Sequence, residues 1–466
     1  MITKKDIAIL GAGPGGYVAA IRAAQLNKKV VIFEEDSVGG TCMNYGCIPT
    51  KHLLHQTKVY RELKADKKLD GPVEQVSLNW ERVQEEKKKV VDRLVRGTEF
   101  LLQRNGVEIV RGRAGLLDEH RVSVRIKETE AIYEADRIIL AMGSRPADLP
   151  FLKADGKEII TSRECLELEC VPKKLVVIGA GAIGLELGAI YSRLGTEVEI
   201  IEIMPTVLPG SDREMALRLE RLLKAQGMKI FTQTRIDQVL RSETGVVLKG
   251  VSLKSQAPLS FQSGLVLLAA GRRANSEKIH AGEPFVALNR SGCVEAGEKL
   301  ETNVPGIYAI GDLIGGKLLA HKASHEGMAA AVNCAGGNET VDAGAIPSAV
   351  FTEPEFASVG LSEEEARERS DKVATGVFSF QANGRALTMN TPEGLVKIVA
   401  DKDDRILGAH ILGPWASDLI AELTLAIHKG LKIQDVSGSI HIHPTFSEAV
   451  MEAALKVKGL AIHVLN

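Results

Sequence analysis

The sequence predicts an α/β fold: two Rossmann-like dinucleotide-binding domains followed by an α+β C-terminal dimerisation domain. Three observations lead there. A glycine pattern at Gly11, Gly13 and Gly16 sits between an apolar strand and an Ala-rich helix, and a second strand follows that ends in Glu34. The same plan returns at Gly179, Gly181, Gly184 and Glu202, each of the four displaced by 168 positions. From about Ala343 the pattern changes to alternating strands and then helices, with no third glycine fingerprint, as in an α+β unit. One G-x-G-x-x-G is weak evidence; two in complete strand–helix–strand context are strong.

In the first unit, residues 5–34, each residue type has a physical reason. The first glycine allows the tight turn, the second lets a pyrophosphate approach the backbone, and the third lets helix pack on strand. The helix N-terminus supplies a positive field for the phosphates. Glu34 at the strand end is placed to accept hydrogen bonds from ribose hydroxyls; its other role would be a solvated strand-end acid. Residues 173–202 repeat the argument with Glu202. A carboxylate there repels a 2′-phosphate, and Ile203, Met204 and Pro205 bring no arginine to bind one. NAD is therefore favoured over NADP at the second unit.

Just after the first unit the chain reads GGTCMNYGCIPTK, with Cys42 and Cys47 five positions apart. Zinc sites generally pair cysteines about two to four residues apart and need two more ligands, so no metal is expected. Positions five apart in a regular α-helix have Cα atoms about 8.6 Å apart, whereas a disulfide needs less than about 7 Å. An oxidised pair therefore requires a distorted segment, for which Gly46 and Pro49 are the candidates. A dithiol next to one dinucleotide site, with a second such site elsewhere, suggests an electron relay. The first site is expected to hold FAD near Cys47 and the second NAD. Cys165 and Cys170 share the spacing but lie in an acidic stretch without the glycine and proline frame, and are expected to be free thiols.

Residues 76–106 are expected to form a charged amphipathic helix with one solvated face. Apolar strands running into glycine at 138–146, 265–275 and 306–313 are expected to line ligands. The end domain carries no nucleotide fingerprint, so dimerisation is its expected job. Near the C-terminus stands HIHPTFSEAV. A thiol-dependent reaction needs a base, since the thiolate attacks, and His titrates nearest neutrality. His443 fits that need, or else is a structural histidine at a strand-to-helix junction. Glu448 either orients its imidazole or closes a capping box with Thr445.

The net charge of −2 gives no footprint for nucleic acid or an anionic membrane. No apolar run reaches spanning length, and the N-terminus runs directly into a strand. Six cysteines in 466 residues do not make a secreted disulfide framework. A cytoplasmic protein is expected.

GGTCMNYGCIPTK, GAGAIGLELG, YAIGD, LLAHKASHEG and HIHPTFSE together resemble the flavoprotein disulfide reductases, along essentially the whole chain and in order. The resemblance implies an FAD domain (1–147), an inserted NAD domain (148–271), a return to the FAD domain (272–343) and an interface domain (344–466) forming a homodimer. It implies that Cys42 attacks substrate and Cys47 faces the flavin, and that His443, with Glu448, is the base serving the other subunit's cysteines. It further implies that Lys51 lies at the flavin paired with Glu186, and that Thr41, Ala114, Gly143, Ser144, Asp312 and Leu318, Leu319, Ala320 and His321 bind FAD. Gly271 would lie beside the nicotinamide, with Glu186 counted, like Gly179, Gly181, Gly184 and Glu202, on the NAD side.

Glu202 argues against the NADP-preferring glutathione and trypanothione reductases, and the ending AIHVLN against mercuric reductase with its terminal cysteine pair. Soluble transhydrogenase lacks the first cysteine. What remains is the branch that oxidises dihydrolipoyl groups to lipoyl groups with NAD. No lipoyl domain precedes residue 1, so that group is expected as free dihydrolipoamide or on a partner, the lipoyl-bearing protein of a 2-oxoacid dehydrogenase complex or glycine cleavage system. The alternatives are another NAD(P)H-dependent disulfide or mercuric reductase, or a mainly structural subunit of such a complex. Two departures stand out. AMGSRP replaces the usual ATGS at Met142, and the loop from Glu34 to Gly39 is short.

Overall fold

The computed structural model describes residues 2–66, 68, 75–243 and 245–466. Its first sheet runs Glu108–Arg111, Val30–Glu34, Ile2–Leu10, Thr129–Leu140, Arg121–Ile126, Arg113–Leu116. Ile2–Leu10 pairs in parallel with Val30–Glu34 on one side and, from Ile2 opposite Ile132 to Leu10 opposite Leu140, with Thr129–Leu140 on the other. Val30–Glu34 is buried at every position, as expected for a strand covered on both faces. Far along the chain, Ile307–Ala309 returns to pair with Thr129–Leu140. The helices Pro14–Gln25 and Ala320–Cys334 pack on each other, and their shared alanines sit in one apolar cluster with Ile7, Ile9 and Ile32.

A second, all-parallel sheet runs Lys229–Phe231, Glu197–Ile201, Lys174–Ile178, Val266–Leu268, Ile159–Ile160. An antiparallel three-stranded sheet, Thr234–Ser242, Gly245–Ser252 and Pro258–Ser263, adjoins it. The C-terminal part holds a five-stranded antiparallel sheet, Ser348–Val350, Glu355–Gly360, Ile406–Gly413, Leu395–Ala400, Ala374–Ser379, packed by Ala416–His428 and Glu448–Val457 around its own core.

Two expectations change. The three apolar runs do not stay strands to their ends. Thr129–Leu140 breaks at the glycine and Ser144–Pro146 restarts in a separate two-stranded ribbon with Arg272–Ala274. Ile307–Ala309 gives way to a 3₁₀ turn, Gly311–Ile314. The charged helix spans Trp80–Arg104 rather than 76–106, because Asn79 caps it by accepting the Arg82 N–H at 3.0 Å. Nor is it a helix of the first unit alone. Trp80 Nε1 donates to the Leu168 carbonyl at 2.8 Å, and Lys87, 1 % exposed, donates to the Leu166 carbonyl at 2.5 Å and to Glu167 at 2.6 Å.

The second nucleotide unit is tied to the C-terminal sheet by a buried cation. Lys397, 1 % exposed, reaches Asp212 at 2.9 Å, Glu363 at 2.8 Å and Glu214 at 3.3 Å. Asp212 is fully buried and also caps the helix Arg213–Ala225 through the Met215 N–H. Burial opposes the lysine charge, but Glu363 and Asp212 outweigh it and push its pKa up to about 12. Lys397→Ala leaves Asp212 charged and buried without its cation. Such a loss costs about 3–5 kcal/mol, and guanidinium chloride unfolding followed by circular dichroism is expected to register it, with Lys397→Met/Asp212→Asn recovering part of the loss.

Candidate active site

Cys42 lies in the short helix Gly40–Tyr45, and Cys47 is the first residue of the helix Cys47–Ala65. Between them Gly46 takes φ −140° and ψ −111°, which ends one helix and starts the next. The break brings the two Cα atoms to 4.6 Å, and the cysteines form a disulfide. Gly46 alone makes the distortion: a Cβ there would sit 2.7 Å from the Thr41 carbonyl oxygen. Pro49, the other candidate, is the third residue of the second helix, where its missing N–H costs nothing. Cys165 and Cys170 are free; burial pushes the Cys165 thiol up to about 12.

The disulfide opens into a cavity of about 250 Å³, contiguous with a second of about 450 Å³. Gly13, Thr41, Tyr45, Gly143, Ser144 and Arg272 line both. The larger reaches Gly11, Glu34 and Ala114; the smaller holds Lys51, Glu186, Asp312 and Leu318, Leu319 and Ala320. His321, expected with them, is not in the lining, and its Nε2 lies 2.7 Å from the Pro347 carbonyl. A third cavity, of about 590 Å³, is lined by Gly179, Gly181, Glu202 and Gly271. Glu186, expected on that side, belongs instead to the disulfide cavity, because its helix Ala182–Arg193 turns that face toward Lys51.

The glycines divide into two kinds. At Gly11, with φ +101°, a Cβ would meet the Ala141 oxygen at 2.4 Å, and at Gly16 it would meet the Gly11 oxygen at 1.9 Å. Gly179 and Gly184 repeat these approaches at 2.4 and 2.0 Å against Ala269 and Gly179. At Gly13 and Gly181, by contrast, a Cβ would meet nothing within 4 Å. Gly16 and Gly184 thus do packing work and line none of these three cavities, while the middle glycines leave an open cradle at each helix N-terminus. That cradle fits a pyrophosphate.

The paired acids are alike to the atom. Glu34 accepts the Ala12 N–H at 2.7 Å on Oε2 and the Asp36 N–H at 2.8 Å on Oε1. Glu202 accepts the Ala180 N–H and the Met204 N–H, each at 2.8 Å, in the same way. Each carboxylate oxygen keeps a second acceptor site, enough for ribose hydroxyls. Burial raises the Glu34 pKa. Arg235, from the strand after Glu202's neighbour, also lines the third cavity, with its Nε held by Asp237 at 2.6 Å. The tripeptide after Glu202 could not reveal a cation that arrives across the sheet.

Two networks hold the disulfide cavity together. Lys51 Nζ lies 2.8 and 3.0 Å from the two oxygens of Glu186 and 4.4 Å from the Phe351 ring centre. Asp312 accepts from Ser144 Oγ, which in turn accepts from Arg272 Nε at 2.7 Å. Arg272 lines all three cavities with its side chain only 13 % exposed, and burial lowers its pKa. Its position in GRRAN marked it only as a strand-end residue. Also missed was the Lys322–Glu326 pair at 2.9 Å, which grips the Gly311 backbone: Glu326 accepts its N–H at 2.7 Å, and Lys322 donates to the Gly315 carbonyl at 3.0 Å. Helical i, i+4 spacing was the available signal.

His443 is not in the lining of the disulfide cavity, and its side chain is 79 % exposed. Its Nδ1 lies 2.8 Å from Glu448 Oε1, while Glu448 Oε2 accepts the Thr445 N–H at 2.8 Å. Glu448 therefore does both jobs at once, one oxygen each. The capping box is only half formed, since Thr445 Oγ1 donates to the Ile442 carbonyl at 2.6 Å instead. Burial works to raise the Glu448 pKa, but the Thr445 N–H and His443 outweigh it and hold the carboxyl below its usual range. The carboxylate engages Nδ1 and leaves Nε2 as the ring nitrogen available for proton transfer.

Residues 5–327 match the pyridine nucleotide-disulphide oxidoreductase family, and residues 346–454 match that family's dimerisation domain. The chain is 42 % identical over 460 residues to a dihydrolipoyl dehydrogenase of Geobacillus stearothermophilus, covering 98 % of this chain and 97 % of that one. It is 39 % identical over 465 residues to a mitochondrial dihydrolipoyl dehydrogenase of Pisum sativum, covering 99 % and 93 %. Among solved structures, LpdA from Mycobacterium tuberculosis superposes with a TM-score of 0.87 at 26 % identity, covering 97 % of this chain and 99 % of that one. The copper(II) complex of the flavoprotein disulfide reductase RclA from Escherichia coli shares the fold, with a TM-score of 0.85 at 24 % identity and the same coverage.

Gly46→Ala sets a methyl group against the Thr41 carbonyl. The segment must shift to accommodate it, and the disulfide of that variant is expected to be easier to reduce than the parent's; thiol trapping in glutathione buffers of graded potential measures it.

Proposed function

The chain belongs to the pyridine nucleotide-disulphide oxidoreductase family, and from that premise we propose that it oxidises dihydrolipoyl groups to lipoyl groups, with FAD as resident cofactor and NAD as final acceptor. The observation that carries this reading is the Cys42–Cys47 disulfide in a cavity that also holds Lys51, Glu186 and Asp312. Full-length likeness to dihydrolipoyl dehydrogenases supports the substrate class. The proposed division of the chain is 1–147, 148–271, 272–343 and 344–466, the first and third holding FAD and the second NAD.

In this reaction the disulfide is the oxidant. His443 Nε2 takes the proton from one substrate thiol, and the thiolate attacks Cys42 Sγ. The Cys42–Cys47 bond breaks and Cys47 leaves as thiolate. The second substrate thiol then attacks the substrate sulfur of the mixed disulfide, which frees the cyclic disulfide product and leaves Cys42 reduced. A bound FAD would supply the two-electron acceptor for the dithiol and the hydride for NAD. Lys51, held by Glu186, would set a fixed positive charge beside the flavin, and Asp312 and Glu34 would hold the dinucleotide. Glu448 keeps the His443 imidazole oriented and stabilises it once protonated.

His443 is exposed and outside its own chain's disulfide cavity, which supports a base acting on the other subunit of a homodimer. The matched dimerisation domain supports that dimer. The lipoyl group would arrive as free dihydrolipoamide or on the lipoyl-bearing protein of a 2-oxoacid dehydrogenase or glycine cleavage assembly. The reading includes a cytoplasmic location; among the described residues no helix is long and apolar enough to cross a membrane.

Cys47→Ser is expected to abolish dihydrolipoamide oxidation while NADH still reduces artificial dyes through the flavin. Full dihydrolipoamide turnover in that variant would refute the assignment. Glu448→Gln is expected to lower kcat about 100-fold, the scale of general acid–base contributions, with little change in KM; steady-state kinetics separate the two.

A further inference from the structure

Tyr45 is a residue of the redox segment that the reaction does not use. It closes the helix Gly40–Tyr45, one position before the break at Gly46, so the turn that joins the cysteines also fixes where its ring lies. Tyr45 lines both the disulfide cavity and the larger cavity beside it, and thus stands where the two meet. The ring is half-buried, whereas the two side chains that touch it, Asp36 and Arg163, are 43 % and 56 % exposed and line the larger cavity with it. The group therefore sits at the rim.

The Tyr45 hydroxyl donates to Asp36 Oδ2 at 3.0 Å. Arg163 lies over the ring face, its guanidinium carbon 4.2 Å from the ring centre, well within cation–π range. A guanidinium nitrogen of Arg163 also lies 3.5 Å from the same Asp36 oxygen, which closes a triangle. Each partner is anchored from behind. Asp36 donates its N–H to Glu34 at 2.8 Å and accepts from Arg111 on its carbonyl at 3.1 Å. Arg163 belongs to the short helix Ser162–Cys165, which Thr161 and Glu164 start with a complete capping box. Burial, and after it the charge of Asp36, push the Tyr45 phenol up to about 12, so the hydroxyl remains a donor across the neutral range. The three residues come from the loop after the first strand-end acid, the redox segment and the entry to the second nucleotide unit.

Resting on the assignment of FAD to these two cavities, we propose that Asp36, Tyr45 and Arg163 form a clasp that retains the cofactor. The hydroxyl bond at the ring's tip and the guanidinium on its face hold Tyr45 at the junction of the cavities. A dinucleotide that fills both has to pass that ring to leave, and the ring moves only when both contacts part.

The test uses the purified holoenzyme with two substitutions. Tyr45→Phe keeps the ring and loses the bond to Asp36; Arg163→Met removes the cation at a side chain that is more than half exposed. FAD release is followed by centrifugal filtration of diluted enzyme at timed intervals, and quenching of the bound flavin's fluorescence by iodide reports how open the cavity is. Each substitution is expected to speed release about 3- to 10-fold, the scale of one part-exposed hydrogen bond or cation–π contact, and to raise iodide quenching with it. Arg163→Lys, which keeps a cation, is expected to recover part of both. Release and quenching at the parent's values in both variants overturn the proposal. Faster release with unchanged quenching overturns it too, since that is the pattern of a cofactor contact weakened elsewhere behind a closed rim. A parent enzyme purified without flavin would sink the assignment of FAD and the clasp together, whereas variants that hold FAD as well as an FAD-loaded parent sink the clasp alone.

Discussion

The architecture of the site turns on one buried carboxylate. Glu186 is 4 % exposed, and an isolated charge at that depth would be costly. Three hydrogen bonds make it tenable: Lys51 Nζ reaches both its oxygens, and the Phe351 N–H adds a third at 2.9 Å. Lys51 stands one turn after Cys47 on the redox helix, Glu186 on the helix after the second glycine fingerprint, and Phe351 at the start of the C-terminal sheet region. A single ion pair thus fixes the relative placement of the dithiol, the second nucleotide site and the segment leading to the interface. Buried pairs of this kind add little net stability, since desolvation offsets attraction. Their value here is geometric, because no partner can be moved without stranding the others.

The two nucleotide sites show how closely one backbone solution can be reused. Glu34 and Glu202 each take one N–H from the glycine turn and one from two residues beyond themselves, at matching distances. The same two glycine approaches recur. The sites differ in what surrounds these cradles. The first opens onto the disulfide and is crossed by Tyr45, whose hydroxyl donates to Asp36 at 3.0 Å while Arg163 stacks on its ring at 4.2 Å. The second opens beside Phe151, Ile203 and Met204. A tightly held group and an exchanging one can therefore be carried by the same local fold.

Much of this was legible in the sequence, for a physical reason. Turn glycines, strand-end acids and the cysteine spacing are local constraints, and local constraints leave periodic marks on a chain. The assignment of Gly11, Gly13, Gly16 and Glu34 needed only that. Gly46 was legible too, because five residues of regular helix cannot bring two Cα atoms within disulfide reach. Arg272 and Arg235 were not: Arg272 acts on Ser144, 128 positions away, and Arg235 reaches the Glu202 cavity from a separate sheet. The Lys322–Glu326 pair left only its i, i+4 spacing, which does not tell a buried pair from a surface one. Pro49 misled because a proline signals a break in a helix interior but is harmless in a first turn. His321 turns its ring to the Pro347 carbonyl, an orientation that adjacency in sequence does not reveal.

The exposure of His443 has a consequence for inheritance. In the proposed homodimer the dithiol and the imidazole that serves it come from different copies of the chain, which makes every reaction centre a joint product of two polypeptides. In a cell making both intact and damaged chains, a copy lacking only His443 would silence the centre of whichever partner it joins while its own dithiol stays serviceable. Two different defects, one in the dithiol and one in the base, could meet in one dimer and leave one working centre. Allelic interactions of both signs, interference and mutual rescue, are thus built into the placement of one solvent-facing ring.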